Sequence, residues 1–320
     1  MPLPRHIAPA GTPIRFSTLI SAGLDQLSGR DAAPELTAAI QARYGVPHCL
    51  TLSSGRAALA LIFRTLARLR NDPQRNEIIV PGYTCYSVAA AAVLAGLRLR
   101  IVDIDPHTLS YDRSLLDNLD SSRALAIMSA NLYGLPNELD HLEDFARSRG
   151  IFMVDDAAQA MHAMYNGRPV GSFGDVGIYS FDKGKNITSL QGGAIVTRDA
   201  GIAAALSAAI DELPGEAPTA TTATFIKLTA YTLLLRPWLY WIPANIPALG
   251  LGRTVYTTDM PMHRLSRFAS SLVLRLFSQI DAITAQRVQT AAQVRQALAG
   301  NPTLTPVAPL AGSKPVFLRQ

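Results

Sequence analysis

Residues 151–193 read IFMVDDAAQAMHAMYNGRPVGSFGDVGIYSFDKGKNITSLQGG. Phe152–Val154 is a short apolar run that ends on two acids, Asp155 and Asp156. Val176–Phe181 is a second strand-like run, and Lys183 and Lys185 follow it. Polar residues gathered just past the carboxyl ends of parallel strands mark the usual ligand crevice of an open α/β sheet. An acid after one strand and a lysine after the next suit an aldehyde cofactor with a basic ring nitrogen. The lysine amine forms a Schiff base, and the acid keeps the ring nitrogen protonated so that the ring can take up electrons.

Working outward, strands alternate with helices. Upstream, Pro34–Tyr44 has apolar residues at helical spacing and closes on Gly45. Cys49–Leu52 reads as a strand, then Ser53-Ser54-Gly55-Arg56-Ala57 turns into the apolar helix Ala58–Leu69. Strands are predicted at Glu77–Val80, Leu99–Val102 and Ala124–Ser129, and helices at Ser87–Ala95, Ser114–Leu119 and Leu139–Ser148. Downstream come the strand Ala194–Thr197, the helix Ile202–Leu213 and a polar loop, Pro214–Thr222. This alternation argues for right-handed βαβ units and an α/β fold with a mostly parallel sheet flanked by helices. The Gly55 turn has two readings: a bare turn, or an anion site where helix dipole and backbone N–H groups converge.

The chain resembles the DegT/StrS-type sugar aminotransferases, fold-type-I enzymes that use pyridoxal phosphate (PLP). The resemblance rests on Asp156-Ala157-Ala158-Gln159, on Ser180-Phe181-Asp182-Lys183-Gly184-Lys185-Asn186 and on Gly192-Gly193, in the family's order and spacing. It implies a PLP-transferase sheet of the seven-stranded type. It implies Lys185 as the cofactor lysine, with Lys183 a solvated rival, and Asp156 as the partner of the ring nitrogen. Gln159 would meet the ring hydroxyl, while Gly55, Arg56 and Ser180 would hold the phosphate. Arg56 stands where the family has Thr or Ser. Cys85 occupies the place of the aromatic residue that stacks on the ring, and Tyr86 beside it is the other candidate for that stack. Asn131, Gln191 and Met262 also depart from the family's residues.

The resemblance further implies amino transfer, usually from glutamate, to a keto-sugar nucleotide, in a homodimer with sites between protomers. Pro315–Leu318 looks like the first strand of the family's small C-terminal domain, so that domain is expected to be incomplete at Gln320. The expected organisation is an arm over 1–30, a PLP-binding α/β domain over 31–215, an apolar Pro-rich segment over 216–262, and a long helix with the start of the small domain over 263–320. A contrasting reading is a catalytically impaired PLP-binding relative that acts with a complete partner enzyme.

Composition narrows the classes. A chain of 320 residues with 48% hydrophobic and 17% charged content is ordered and globular. The net charge of +5 comes with no basic tract, which argues against nucleic acid. Cys49 and Cys85 make neither a disulfide framework nor a metal site, and a cytoplasmic protein is the simplest expectation. No G-x-G-x-x-G follows a first strand, which removes a dinucleotide-binding dehydrogenase. Phe225–Leu251, FIKLTAYTLLLRPWLYWIPANIPALGL, is apolar and aromatic. Its proline-free part falls short of the about 20 residues that span a bilayer. A buried dimer interface is the first expectation for it, and peripheral membrane contact the second. Arg264–Gln286 reads as one amphipathic helix carrying Leu265, Phe268, Leu272, Leu276 and Ile280 on one face.

Overall fold

The computed structural model describes residues 11–246 and 256–319. Seven strands form the main sheet: β1 (His48–Leu52), β2 (Glu77–Pro81), β3 (Arg98–Val102), β4 (Ala124–Ala130), β5 (Phe152–Asp156), β8 (Val176–Ser180) and β9 (Gly193–Thr197). Their order is β1-β9-β8-β5-β4-β2-β3. β3, β2, β4, β5 and β8 run parallel, and β9 is antiparallel to both of its neighbours, β8 and β1. The mostly parallel α/β sheet expected from sequence is therefore present. β4 lies mid-sheet and all seven of its residues are buried, as a strand covered on both faces requires.

Helices cover both faces. α3 (Gly55–Arg70), α4 (Tyr86–Leu94) and α7 (Ala200–Asp211) share one apolar layer, which includes Ile62, Leu66, Ala91 and Leu206. α2 (Ala33–Tyr44), α6 (Leu139–Arg149) and α10 (Arg267–Phe277) share the other, with Ile40, Phe145, Leu272 and Leu276. Side-chain caps fix several starts. Ser54 accepts from the Ala57 N–H, Asp199 from Ile202 and Ser266 from Ala269, which satisfies donors that a helix start leaves unpaired.

Four sequence expectations need correction. The segment 1–30 is not all arm, because Phe16–Ser28 is helix α1; residues 1–10 lie outside the described residues. The expected loop Pro214–Thr222 becomes helical at Pro218, where α8 (Pro218–Leu234) begins. Proline suits that first-turn position because its missing N–H would have no helical partner. Arg264–Gln286 is two helices, α10 and α11 (Ile280–Leu298), broken at Ser278-Gln279. Pro315–Leu318 is not a strand. The pairing residues are β10 (Ser313–Lys314), which joins β6 (Met164–Tyr165) and β7 (Arg168–Pro169) in a three-stranded sheet. Val316 and Leu318 instead donate to the Gly134 and Tyr133 carbonyls.

α1 packs on α10 and buries Leu19 and Ala22. Its other face leaves Phe16, Ile20, Leu24 and Leu27 exposed. α8 ends before a short helix, α9 (Trp241–Ala244). The expected apolar segment Phe225–Leu251 is described only as far as Ile246, and 247–251 lie outside the described residues.

Candidate active site

Alternation along β5 sends its two acids to opposite sides, since neighbouring strand residues point to opposite faces. Asp155 is fully buried. It accepts hydrogen bonds from the Ser129 hydroxyl (2.7 Å) and Asn131 Nδ2 (2.8 Å) at one oxygen, and from the Gly171 (2.6 Å) and Phe173 (3.3 Å) N–H groups at the other. Burial outweighs these four donors and pushes its carboxyl up to about 6. Asp156 instead lines a cavity of about 140 Å³ at the ends of β4, β5 and β8. Burial raises its pKa, while the Ala158 N–H, donating at 2.8 Å, and the charge of Lys185 act in the opposite direction.

Every residue that the sequence singled out for the site lines this one cavity: Gly55, Arg56, Cys85, Tyr86, Asp156, Gln159, Ser180 and Lys185. Lys185 is half-buried there, whereas Lys183 is exposed and does not line it. Gly55 opens α3 directly against Ser180; a Cβ on Gly55 would stand 3.0 Å from both Ser180 Cβ and Oγ. A helix start, two serines (Ser54 and Ser180) and the Arg56 guanidinium thus converge in the cavity. That set suits a phosphate-sized anion.

The structure adds detail to three assignments. Arg56 Nη1 donates to the Tyr86 hydroxyl at 3.1 Å, which ties the ring of Tyr86 to the anion end of the cavity. Cys85 Sγ accepts from the Ser87 hydroxyl at 3.0 Å. Gln159 Oε1 accepts from the Tyr133 N–H at 3.0 Å, so its NH₂ group is the end left to meet a ligand. Asn131 spends its amide within the protein: Nδ2 also reaches the Asp156 carbonyl at 2.8 Å, and Oδ1 accepts from the Asn137 N–H at 2.8 Å.

The sequence reading missed Ser54, Thr84, Asn131 and Asp182 as lining residues. Thr84 could have been found, because it stands directly before Cys85 in the same turn. Asp182 carries no motif of its own. Its N–H donates to Ser180 Oγ at 3.3 Å, and its carboxylate accepts from the Lys183 N–H at 2.7 Å.

The lysine loop is held from outside. The Thr12 hydroxyl stands 2.8 Å from the Lys185 carbonyl and 3.0 Å from that of Asn186. Arg287 Nη2 donates to Thr12 Oγ1 at 3.0 Å, and the Thr12 N–H donates to the hydroxyl of Tyr231, on α8, at 3.3 Å. Ser53, beside the helix start, is braced by a second strap: its N–H donates to the His263 carbonyl and its hydroxyl to that of Pro261, both at 3.0 Å.

Known proteins share this architecture. The structure of Helicobacter pylori PseC, an aminotransferase involved in the biosynthesis of pseudoaminic acid, superposes with a TM-score of 0.77 at 20% identity, over 98% of this chain and 76% of that one. DesV from S. venezuelae, solved in complex with a ketimine intermediate, gives 0.71 at 25% identity over 94% and 72%. Among curated proteins, GDP-perosamine synthase of Caulobacter vibrioides is 35% identical over 160 residues, 50% of this chain and 42% of that protein. The L-glutamine:scyllo-inosose aminotransferase of Streptomyces griseus is 34% identical over 176 residues, 55% and 41% respectively. The matched part is thus less than half the length of these curated relatives. Residues 24–217, which hold the whole of the cavity lining, match the family's own sequence profile, and the chain belongs to the DegT/DnrJ/EryC1/StrS aminotransferase family.

Proposed function

We propose that the chain binds PLP and transfers an amino group, from glutamate, to the carbonyl carbon of a keto-sugar nucleotide. The observation that carries this reading is the meeting of Lys185, Asp156 and the start of α3 around one cavity. That donor set fits the cofactor: an amine for its aldehyde, an acid for its ring nitrogen and a helix start with Ser180 and Arg56 for its phosphate. Bound PLP supplies an electron sink for the bond-breaking carbon.

The chain's own residues do the rest. Lys185 Nζ anchors the cofactor and, once the amino donor displaces it, moves the proton at the substrate carbon. Asp156 would keep the ring nitrogen protonated through an ion pair. Gly55, Arg56 and Ser180 bind the phosphate and fix the ring's position. The Gln159 NH₂ group would hold the ring hydroxyl, and Tyr86 or Cys85 would supply the contact to the ring. In this reading residues 31–215 make the cofactor-binding unit.

The test is an absorbance spectrum of the purified protein with and without added PLP, followed by borohydride reduction and peptide mapping. A visible band that reduction bleaches, with the adduct on Lys185, is expected. A colourless protein that takes up no PLP would overturn the reading and favour a non-catalytic partner of a complete enzyme.

A further inference from the structure

α1 and α8 together present an apolar face that continues well beyond the stretch Phe225–Ile246. On α1, Phe16, Ile20, Leu24 and Leu27 recur at near-helical spacing and are exposed, Leu27 by 85%. Ile20, Leu24 and Leu27 line one groove of about 320 Å³ with Thr221, Thr222 and Phe225 of α8. Exposed apolar residues continue in sequence along α8 and beyond it, at Ile226, Leu233, Trp238, Trp241, Ile242 and Ile246. A run of this size demands an occupant.

Charge selects which one. From Ala217 to Thr258 the chain has no Asp or Glu, while Lys227 and Arg236 are exposed among the apolar residues. Arg15 is exposed next to Phe16, at the start of α1. Asp25, the acid within α1, is turned inward and bound to Arg275 and Ser271. Two further acids, Asp31 and Glu216, line a neighbouring cavity with Arg264 and Arg267. A second copy of the 217–258 stretch would offer Lys227 and Arg236 no carboxylate of its own, leaving only the acids of that neighbouring cavity to pair with them. Cations interspersed with Trp, Tyr, Leu and Ile fit the headgroup region of an anionic bilayer instead. Among the described residues no helix is long and apolar enough to cross a membrane, so such a face would lie on the bilayer.

We propose that the α1–α8–α9 face is a docking surface for an anionic phospholipid membrane. Trp238 and Trp241 enter the interface, Ile20, Leu24, Ile226 and Leu233 bury against acyl chains, and Lys227 and Arg236 pair with lipid phosphates. The chain's two tryptophans both lie on this face, so intrinsic emission reports it alone.

The experiment adds vesicles of phosphatidylcholine with phosphatidylglycerol, or of phosphatidylcholine alone, to the purified full chain. It follows tryptophan emission and co-sedimentation, with the oligomeric state measured by analytical ultracentrifugation. Expected are a blue shift and co-sedimentation with the anionic vesicles, both weakened by salt. Lys227→Gln with Arg236→Gln should lower partitioning by about twenty-five-fold, from about fivefold for each cation near an anionic surface. Ile20→Ser with Leu24→Ser should lower it without changing the salt dependence. Melting curves by circular dichroism verify that the variants fold, and the salt titration of the unaltered chain needs no variant. Two results would overturn the proposal. One is unshifted emission with anionic vesicles. The other is a lipid-independent blue shift that follows protein concentration and a monomer–dimer step, which would give the face to a second copy.

Discussion

Gly193 opens β9 in van der Waals contact with the start of α3. A methyl group there would stand 2.8 Å from Gly55 N, 2.9 Å from Gly55 Cα and 3.0 Å from Ser54 C. All three are backbone atoms, so no side chain can swing aside. Ordinary contact begins at 3.4 Å, and either the strand or the helix start must retreat by roughly half an ångström to reach the spacing of a close-packed interior. Gly193→Ala should therefore destabilise the fold by about 1–3 kcal/mol, the usual range for overpacking. It should also shift the N–H groups that would meet the cofactor phosphate. Losing one hydrogen bond to a charged group removes about 1.5–3 kcal/mol, so PLP affinity should fall between about ten- and a hundredfold. The assay is a PLP titration followed by absorbance, paired with thermal unfolding. Gly215→Ala is the control, since nothing lies within 4 Å of its added methyl. If Gly193→Ala takes up PLP and melts like the unaltered protein, the claim that β9 sets the position of the phosphate cradle is wrong.

Three further outcomes concern the two cavity residues Lys185 and Asp156 and the buried Asp155 behind them. Lys185→Ala should abolish the borohydride-trapped adduct while Lys183→Ala keeps it, because Lys183 is exposed and outside the cavity lining; an adduct mapped to Lys183 would reverse the assignment. Asp156→Asn should retain PLP but slow amino transfer by orders of magnitude, and near-normal turnover in that variant would remove its role as ring-nitrogen partner. Asp155 binds its proton more tightly in the folded protein, at about 6, than at the ordinary 3.8. Its contribution is therefore most favourable below about pH 4 and is lost as pH rises through about 6, a change of about 3 kcal/mol. Denaturant titrations from about pH 4 to about pH 7 should show that the stability of the unaltered protein falls by that amount relative to Asp155→Asn; a constant difference would refute the linkage.

Much of this site was legible because its chemistry sits at strand ends, where alternation and length are easy to read. Asp156 and Lys185 each follow an apolar run that can only be an interior strand, and the Gly55 turn lies between a strand and a helix. What could not be read was directional. Nothing in GAIVT says that β9 runs against its neighbours, a fact settled by the turn that returns from Lys185 and by pairing with β1. The break at Ser278-Gln279 was hidden because Phe268, Leu272, Leu276 and Ile280 keep helical step across it, and all four are buried. α8 was missed at its start because Pro-Thr-Ala-Thr-Thr has loop composition, although proline belongs at a first turn. α1 was missed although Phe16, Ile20, Leu24 and Leu27 recur at near-helical spacing; they form its exposed face, while Leu19 and Ala22 pack inward.

The Thr12 clasp gives the outward-facing helices a route to the lysine loop. One residue touches the Lys185 and Asn186 carbonyls, the Arg287 guanidinium and, through its N–H, Tyr231 on α8. Motion of α8 along its axis would pull on Thr12, and Thr12 holds the main chain that carries Lys185. Couplings between sites are reciprocal in free energy. If contact with a surface steadies α8, Thr12 should steady the lysine loop, and a ligand that steadies the loop should slow amide exchange in α8 by the same linkage. Thr12→Ala would remove the hydroxyl contacts to the lysine loop and to Arg287 while keeping the N–H contact to Tyr231. In that variant events at α8 and events at the lysine loop would be felt separately.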